Sequence, residues 1–292
     1  MELTITGYST ALFSSWYFIE ELGILLDAGD GMMSALLQKS RKITHAFISH
    51  ADRDHLTGLL QFNQLNSREG YPVISYPRDS RSFPAMHEFF TRFDPYTTGT
   101  VWQPVTAGDE IRVKDDILVI PIRNEHVPVP PEVTRSLGYK IYQTKRKLRP
   151  ELIGLSGEEI RKISVEHGKE ATTMEVRTNI LSYSGDTPVD DLHKWDDTKV
   201  LIHEATFLER EEEIKIHAHK NKHSRLDEVI EMVSGSNIEK LILGHFSSRY
   251  NAGQIDDAIQ QLCNKYALNI PVYRILPGET VTDVFKGKPV NA

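Results

Sequence analysis

The segment Phe47-Ile-Ser-His-Ala-Asp-Arg-Asp-His-Leu-Thr-Gly-Leu sets His50, Asp52, Asp54 and His55 within six positions, directly after an apolar run. Imidazole and carboxylate donors in such proximity suit zinc, manganese or iron. A loop leading from strand to helix can turn alternate side chains into one cavity. The other reading of this loop is a solvated polar turn. Four donors do not complete a two-metal site, so further ligands must stand at the ends of later strands. Three candidates do: His126 closes the run ending Asn124-Glu-His, Asp186 follows Ile180-Leu-Ser-Tyr-Ser-Gly, and His245 ends Lys240-Leu-Ile-Leu-Gly. Gly185, beside Asp186, permits a close backbone approach. Taken singly, each of the three is more often a structural polar residue than a ligand. Together they share a position just past strand ends, where α/β sheets build their sites.

The elements that must carry these residues are legible as short β-rich runs alternating with helical patterns. Strands are expected at Glu2–Thr6, Trp16–Glu20, Gly23–Asp27, Thr44–Ser49, Val73–Tyr76, Glu110–Val113, Ile117–Ile122 and Leu137–Tyr142. The second and third are split by a Glu-Leu-Gly turn, as in a hairpin. Later strands are expected at 179–184, 199–202, 240–244, 271–275 and 280–285, with helices starting at Met32 and over Leu56–Leu65, Ser82–Phe90, 224–234 and 254–266. Residues 144–178 are charged and read mostly as helix. Strands alternating with helices predict an α/β (α+β) chain whose sheets are covered by helices. No repeat or low-complexity linker divides it, so residues 1–292 read as one domain.

Composition narrows the function classes. Of 292 residues, 39 % are hydrophobic and 26 % charged, the proportions of a globular protein. The 34 basic against 41 acidic residues give a net charge of −7, which disfavours a globally basic nucleic-acid binder but not a local basic patch. A single cysteine, Cys263 in an apolar helical pattern, excludes an internal disulfide and reads as a buried hydrophobe. No apolar run approaches the roughly 20 residues that span a bilayer, and the first residues lack the features of an export signal, so the expected location is cytoplasmic. No Gly-x-Ser-x-Gly elbow or Walker-type phosphate loop is present. His217 and His219 read as loop residues flanking the mouth of a site, with adventitious metal binding as the alternative.

These motifs resemble those of the metallo-β-lactamase superfamily, whose first motif is His-x-His-x-Asp-His. In detail they are similar to its ribonuclease Z branch: His203-Glu-Ala-Thr, His223-Ser-Arg, Ser136-Leu-Gly-Tyr and Leu241-Ile-Leu-Gly-His-Phe-Ser-Ser-Arg-Tyr each match a loop of that branch. The similarity runs over about residues 2–285. It implies a four-layer αββα sandwich with two divalent metal ions. One would be held by His50, Asp52, His126 and Asp186, the other by Asp54, His55, Asp186 and His245. It further implies Asp54 as general base, His223 held by Glu204 as the proton donor to a leaving 3′ oxygen, and a homodimer acting on precursor tRNA. His203 is expected to be a buried, hydrogen-bonded residue rather than a catalyst.

Two departures qualify the likeness. Asp52 stands where the family has its second histidine, and a shorter, harder carboxylate tilts the site from zinc towards manganese or iron. The branch also carries a protruding arm that grips tRNA; here the corresponding insertion, residues 140–178, is short. It holds Lys140, Lys145, Arg146, Lys147 and Arg149 within ten positions. That cluster is either a phosphate-binding patch, with the last four as substrate contacts, or a solvated rim. Two other functions share the fold: a small-molecule metallohydrolase acting on a cyclic nucleotide or other ester, and a non-catalytic binding protein with a degraded metal site.

Overall fold

The computed structural model describes residues 1–208 and 222–292; His217 and His219 lie outside them. In the first half the strands are β1 (Ile5–Thr10), β2 (Ser14–Ile19), β3 (Ile24–Leu26), β4 (His45–Phe47), β5 (Val73–Pro77) and β6 (Val101–Val105), with helices α1 (Met32–Leu36), α2 (Arg53–Leu56), α3 (Leu59–Asn66) and α4 (Ser82–Phe93). The second half adds β7 (Ile111–Lys114), β8 (Ile117–Arg123), β9 (Leu137–Leu148), β10 (Thr173–Tyr183), β11 (Thr198–Glu204), β12 (Ile238–Gly244) and β13 (Val272–Arg274), with α5 (Gly157–His167), α6 (Lys169–Thr172), α7 (Leu226–Ser234) and α8 (Ala252–Lys265). One sheet has the order β1-β2-β3-β4-β5-β6 and the other β13-β12-β11-β10-β9-β8-β7.

Strand alternation explains the layering, because successive side chains leave a strand on opposite faces. Tyr17, Ile19, Ile24 and Leu26 point into the core shared by the two sheets, alongside Ile202 and Ile242 from the second sheet. Trp16, Phe18 and Leu25 point the other way, onto α1, α3 and α4 through Met32, Phe62 and Phe83. Leu201, Leu241 and Leu243 likewise face α7 and α8 through Val229, Ile230, Ile255 and Ile259. Three separate apolar cores between four layers are the αββα sandwich. Cys263 is buried in the last of them.

Several local readings are corrected. Residues 144–148 and 173–178 are strand, not helix: β9 and β10 pair in antiparallel register from Thr173↔Leu148 to Tyr183↔Tyr139. Their outer ends are exposed, so no apolar alternation marks them, and directly opposed charges such as Arg146 and Glu175 take its place. The first strand runs to Thr10 rather than stopping at Thr6. The expected strand at 280–285 is one bridge, Gly7 to Val281, followed by a 3₁₀ turn. The expected helix at Leu56–Leu65 is two helices, parted at Gly58, where a Cβ would stand 2.4 Å from the Gly29 carbonyl oxygen. Edge strand β6 has no expectation against it, since Pro104 breaks its pattern.

Candidate metal centre

The strand ends converge. His50 follows β4, His126 follows β8, Asp186 follows β10 and His245 follows β12, while α2 carries Asp54 and His55. His50, His55 and His126 are fully buried; Asp54, Asp186 and His245 are nearly so. Gly185 takes φ +57°, and a Cβ there would lie 2.7 Å from that of Ser49, so the loop ending in Asp186 can press against the loop leading to His50 only with glycine in place.

The four imidazoles share one arrangement. His55 Nδ1 lies 2.7 Å from Asp27 Oδ2, and His126 Nδ1 lies 2.8 Å from the Lys222 carbonyl oxygen. His50 Nδ1 meets Ser49 Oγ at 2.9 Å, and that hydroxyl donates to Asp27 at 2.7 Å. His245 Nδ1 meets Thr206 Oγ1 at 2.8 Å, a hydroxyl that donates to Glu204 Oε2 at 2.5 Å. In each case the neighbour is an acceptor, which places the ring proton on Nδ1 and leaves the Nε2 lone pair facing inward.

Those four Nε2 atoms meet three carboxylates. Asp186 Oδ2 is 3.3 Å from the Nε2 atoms of His55 and His245 and 3.7 Å from that of His50. Asp54 Oδ2 is 3.4 Å from His55 Nε2 and 3.3 Å from His245 Nε2. Asp52 Oδ2 is 3.6 Å from His50 Nε2 and 3.5 Å from His126 Nε2, with its side chain half exposed at the mouth. Ligands bonded at about 2.0–2.2 Å in a tetrahedral site stand roughly 3.4 Å apart. His50 and His55 Nε2 are buried without a hydrogen-bond partner among the described residues, a costly condition unless a cation satisfies them. The donor set therefore fits divalent metal ions, and Asp186 stands between the two halves of the cluster.

Electrostatics agree. His126 and His50 hold Asp52 well below the usual carboxylate range. Burial opposes the charges on Asp54 and Asp186, yet the His55 and His245 imidazoles hold both far below that range. Burial, with His55 and His126 alongside, depresses His50. His55 goes the other way: against its burial, Asp186, Asp54 and Asp27 raise it well above its ordinary value. Carboxylates that would draw a proton onto that ring would also draw a metal ion.

On the rim, His223 Nδ1 lies 3.1 Å from Glu204 Oε1 and 3.9 Å from Asp186 Oδ2, and its ring stacks on His245 at 5.5 Å. Burial opposes its charge, but the Glu204 carboxylate pushes it up to about 9. Glu204 is itself fixed by the Thr187 and Thr206 amides at 2.7 and 3.3 Å. His203 is buried, with Nδ1 2.7 Å from the Glu204 carbonyl oxygen, away from the cluster.

Lys145, Arg146, Lys147 and Arg149 are not brought to this centre. Leu137, at the near end of β9, donates its N–H to the Ser49 carbonyl beside His50. Lys147 lies ten residues further along the extended strand, roughly 33 Å at about 3.3 Å per residue. Arg146 pairs with Glu170 at 3.2 Å, and Arg149 donates to the Glu170 carbonyl at 2.9 Å.

Asp27 escaped the sequence reading as a functional residue. It is fully buried at φ +54°, and its carboxylate accepts from Ser49 N and Oγ, His55 Nδ1 and Tyr183 Oη (2.5 Å). It thereby orients two imidazoles of the cluster. Its place immediately after an apolar strand is the signal that marks His50, and the same rule applied to Asp27-Ala-Gly would have found it. Thr206, which orients His245, closes the His203-Glu-Ala-Thr motif, but that motif gave it no role of its own.

Comparison with known proteins bears on this geometry. A family profile described as "Beta-lactamase superfamily domain" matches residues 23–149, a span that includes His50 through His55 and His126. The chain has the metallo-β-lactamase fold. A solved structure of human tRNase Z, short form, superposes with TM-score 0.59 at 17 % identity, over 97 % of this chain and 99 % of that one. A diphosphatase of the PhnP family gives 0.59 at 12 %, over 97 % and 100 %. In sequence, tRNase Z TRZ1 of Arabidopsis thaliana is 29 % identical over 272 residues, covering 89 % of each chain. The superfamily likeness read from the motifs is matched by the profile over residues 23–149, and the likeness to tRNase Z by a relative aligned over 89 % of the chain.

Proposed function

We propose that this chain is a metal-dependent phosphodiesterase of the ribonuclease Z type, cutting precursor tRNA endonucleolytically on its 3′ side to leave a 3′ hydroxyl. In this reading it works in the cytoplasm as a homodimer. The observation that carries it is the convergence of four Nε2 lone pairs on Asp52, Asp54 and Asp186, with the His223–Glu204 pair on the same rim.

His50, Asp52, His126 and Asp186 would hold one ion, and Asp54, His55, Asp186 and His245 the other, with Asp186 shared. When bound, two such ions supply an acidified water and charge stabilisation for an in-line displacement. Manganese or iron suits the Asp52 half better than zinc. The chain does the rest. Asp54 stays ionised at working pH and receives the Leu12 amide at 3.0 Å on Oδ2, so it is fixed as the group that orients and accepts the proton of an attacking water. His223, protonated up to about pH 9, donates from Nε2 to the leaving 3′ oxygen while Glu204 keeps its other nitrogen. Residues 140–178 would act as a shortened arm, meeting RNA far from the cut.

A second reading, a small-molecule phosphodiester or ester hydrolase, is favoured by one observation: Arg146 and Arg149 are engaged by Glu170 and Glu151, which lowers the charge the arm offers to phosphates. Against a non-catalytic binding protein stands the His223–Glu204 pair, which a bare scaffold does not need.

Purified protein reconstituted with manganese or zinc is offered a 3′-extended tRNA and, separately, a chromogenic phosphodiester. About two ions per chain and trimming of the tRNA support the proposal. Hydrolysis of the ester alone moves the assignment to the second reading, and failure to bind metal moves it to the binding protein. Asp54→Ala lowers either activity by at least about a thousandfold; turnover that survives it removes Asp54 from its role. Sedimentation at working concentration tests the dimer.

A further inference from the structure

The turn between β1 and β2 closes against the metal centre. Phe13 N–H donates to the Thr10 carbonyl at 3.1 Å, and Leu12, third of the four turn residues, takes φ +71°, the position of a type II turn that normally calls for glycine. The turn is not a loose tip. Ala11 N–H donates to the Phe246 carbonyl at 3.2 Å, Gly278 N–H to Thr10 Oγ1 at 3.0 Å, and Ser14 Oγ to the Asp30 carbonyl at 2.8 Å. The Leu12 amide is the one that fixes Asp54. Thr10, Ala11 and Ser14 are all buried, yet Leu12 is 73 % and Phe13 61 % exposed. A strained backbone that holds two large apolar side chains in water beside reacting groups marks a contact surface rather than a packing element.

We infer that Leu12 and Phe13 form an apolar lip on the metal centre and that Phe13 stacks on a nucleobase adjoining the scissile phosphate. Lys145, Arg146 and Lys147 lie roughly 26–33 Å along β9 from Leu137, which bonds the loop at His50, so they cannot grip the nucleotides at the cut. Asp52, Asp54 and Asp186 make the centre itself a poor surface for a base. Phe13 is exposed one residue beyond the Leu12 amide that binds Asp54, and it supplies a π face that accepts any base. The inference rests on the phosphodiesterase reading for the identity of the substrate, but its contact can be measured without turnover.

The test compares metal-loaded wild type with Phe13→Ala on two esters that share a leaving group, thymidine 5′-(p-nitrophenyl) phosphate and methyl p-nitrophenyl phosphate. Phe13→Ala is expected to lower the preference for the nucleoside ester about tenfold through KM, within the range for loss of one base–aromatic stack, and Phe13→Trp to restore it. Phe89→Ala, a comparably exposed phenylalanine on α4, keeps the wild-type preference. In calorimetry, Phe13→Ala binds thymidine 5′-monophosphate about tenfold more weakly. Unchanged affinity and unchanged preference overturn the lip. Absence of wild-type turnover on both esters and on the 3′-extended tRNA, with affinity still dependent on Phe13, overturns the enzymatic reading and leaves the lip standing.

Discussion

The metal centre and the far end of β9–β10 are built from the same residue types with opposite physics. At the centre, charged and imidazole groups are buried, and every ring nitrogen that faces away from the cluster has an acceptor: Asp27, Ser49, Thr206 or a backbone carbonyl. At the far end, Arg146, Arg149, Glu170 and Glu151 pair in water. A buried acceptor withdrawn leaves a desolvated group without a partner, at about 1–3 kcal/mol or more. An exposed ion pair contributes about 0–1 kcal/mol and is screened by salt. Orientation is thus paid for at one end of the molecule, while adaptability remains at the other.

That contrast can be broken at its strongest point first. Asp27→Asn keeps the shape but replaces an acceptor of four donors with an amide, and it should weaken metal binding about 10–100-fold and lower the stability of the metal-free protein by roughly 1–3 kcal/mol. Metal titration and thermal unfolding of the same preparation check both, and unaltered metal affinity would show that the outer hydrogen bonds do not orient the rings. A smaller effect is expected from Glu204→Gln. Wild-type turnover should fall as pH rises through about 9, where His223 loses its proton. With the carboxylate gone, that loss should move down towards the ordinary histidine value near 6.5. A pH–rate profile with an unmoved alkaline limb would take His223 out of the proton-donor role. The mildest change is the pair Lys145→Ala and Lys147→Ala. Stability should shift by no more than about 0.5 kcal/mol, while the slope of log affinity for tRNA against log salt should fall by about 1 to 2. A slope that does not change makes the basic cluster a solvated rim and strengthens the small-molecule reading.

The loop from His50 to His55 was legible because strand periodicity ends there and ligand types begin, and both signals are local. The same logic reached His126, Asp186 and His245. It misjudged 144–148 and 173–178, where both faces of a ribbon meet water and apolar alternation, the only local mark of a strand, is missing, while the helix expected between them is present at Gly157–His167.

The sequence alone determined which side chains can bind metal and that apolar strands deliver them to loops, since backbone direction and side-chain alternation depend on near neighbours. Only the tertiary structure decided which nitrogen of each ring is free. Asp27 is 28 positions from His55 and 156 from Tyr183, and Thr206 is 39 from His245. A ring's tautomer is set by whichever acceptor packs against it, and packing between sheets joins residues that no local pattern relates.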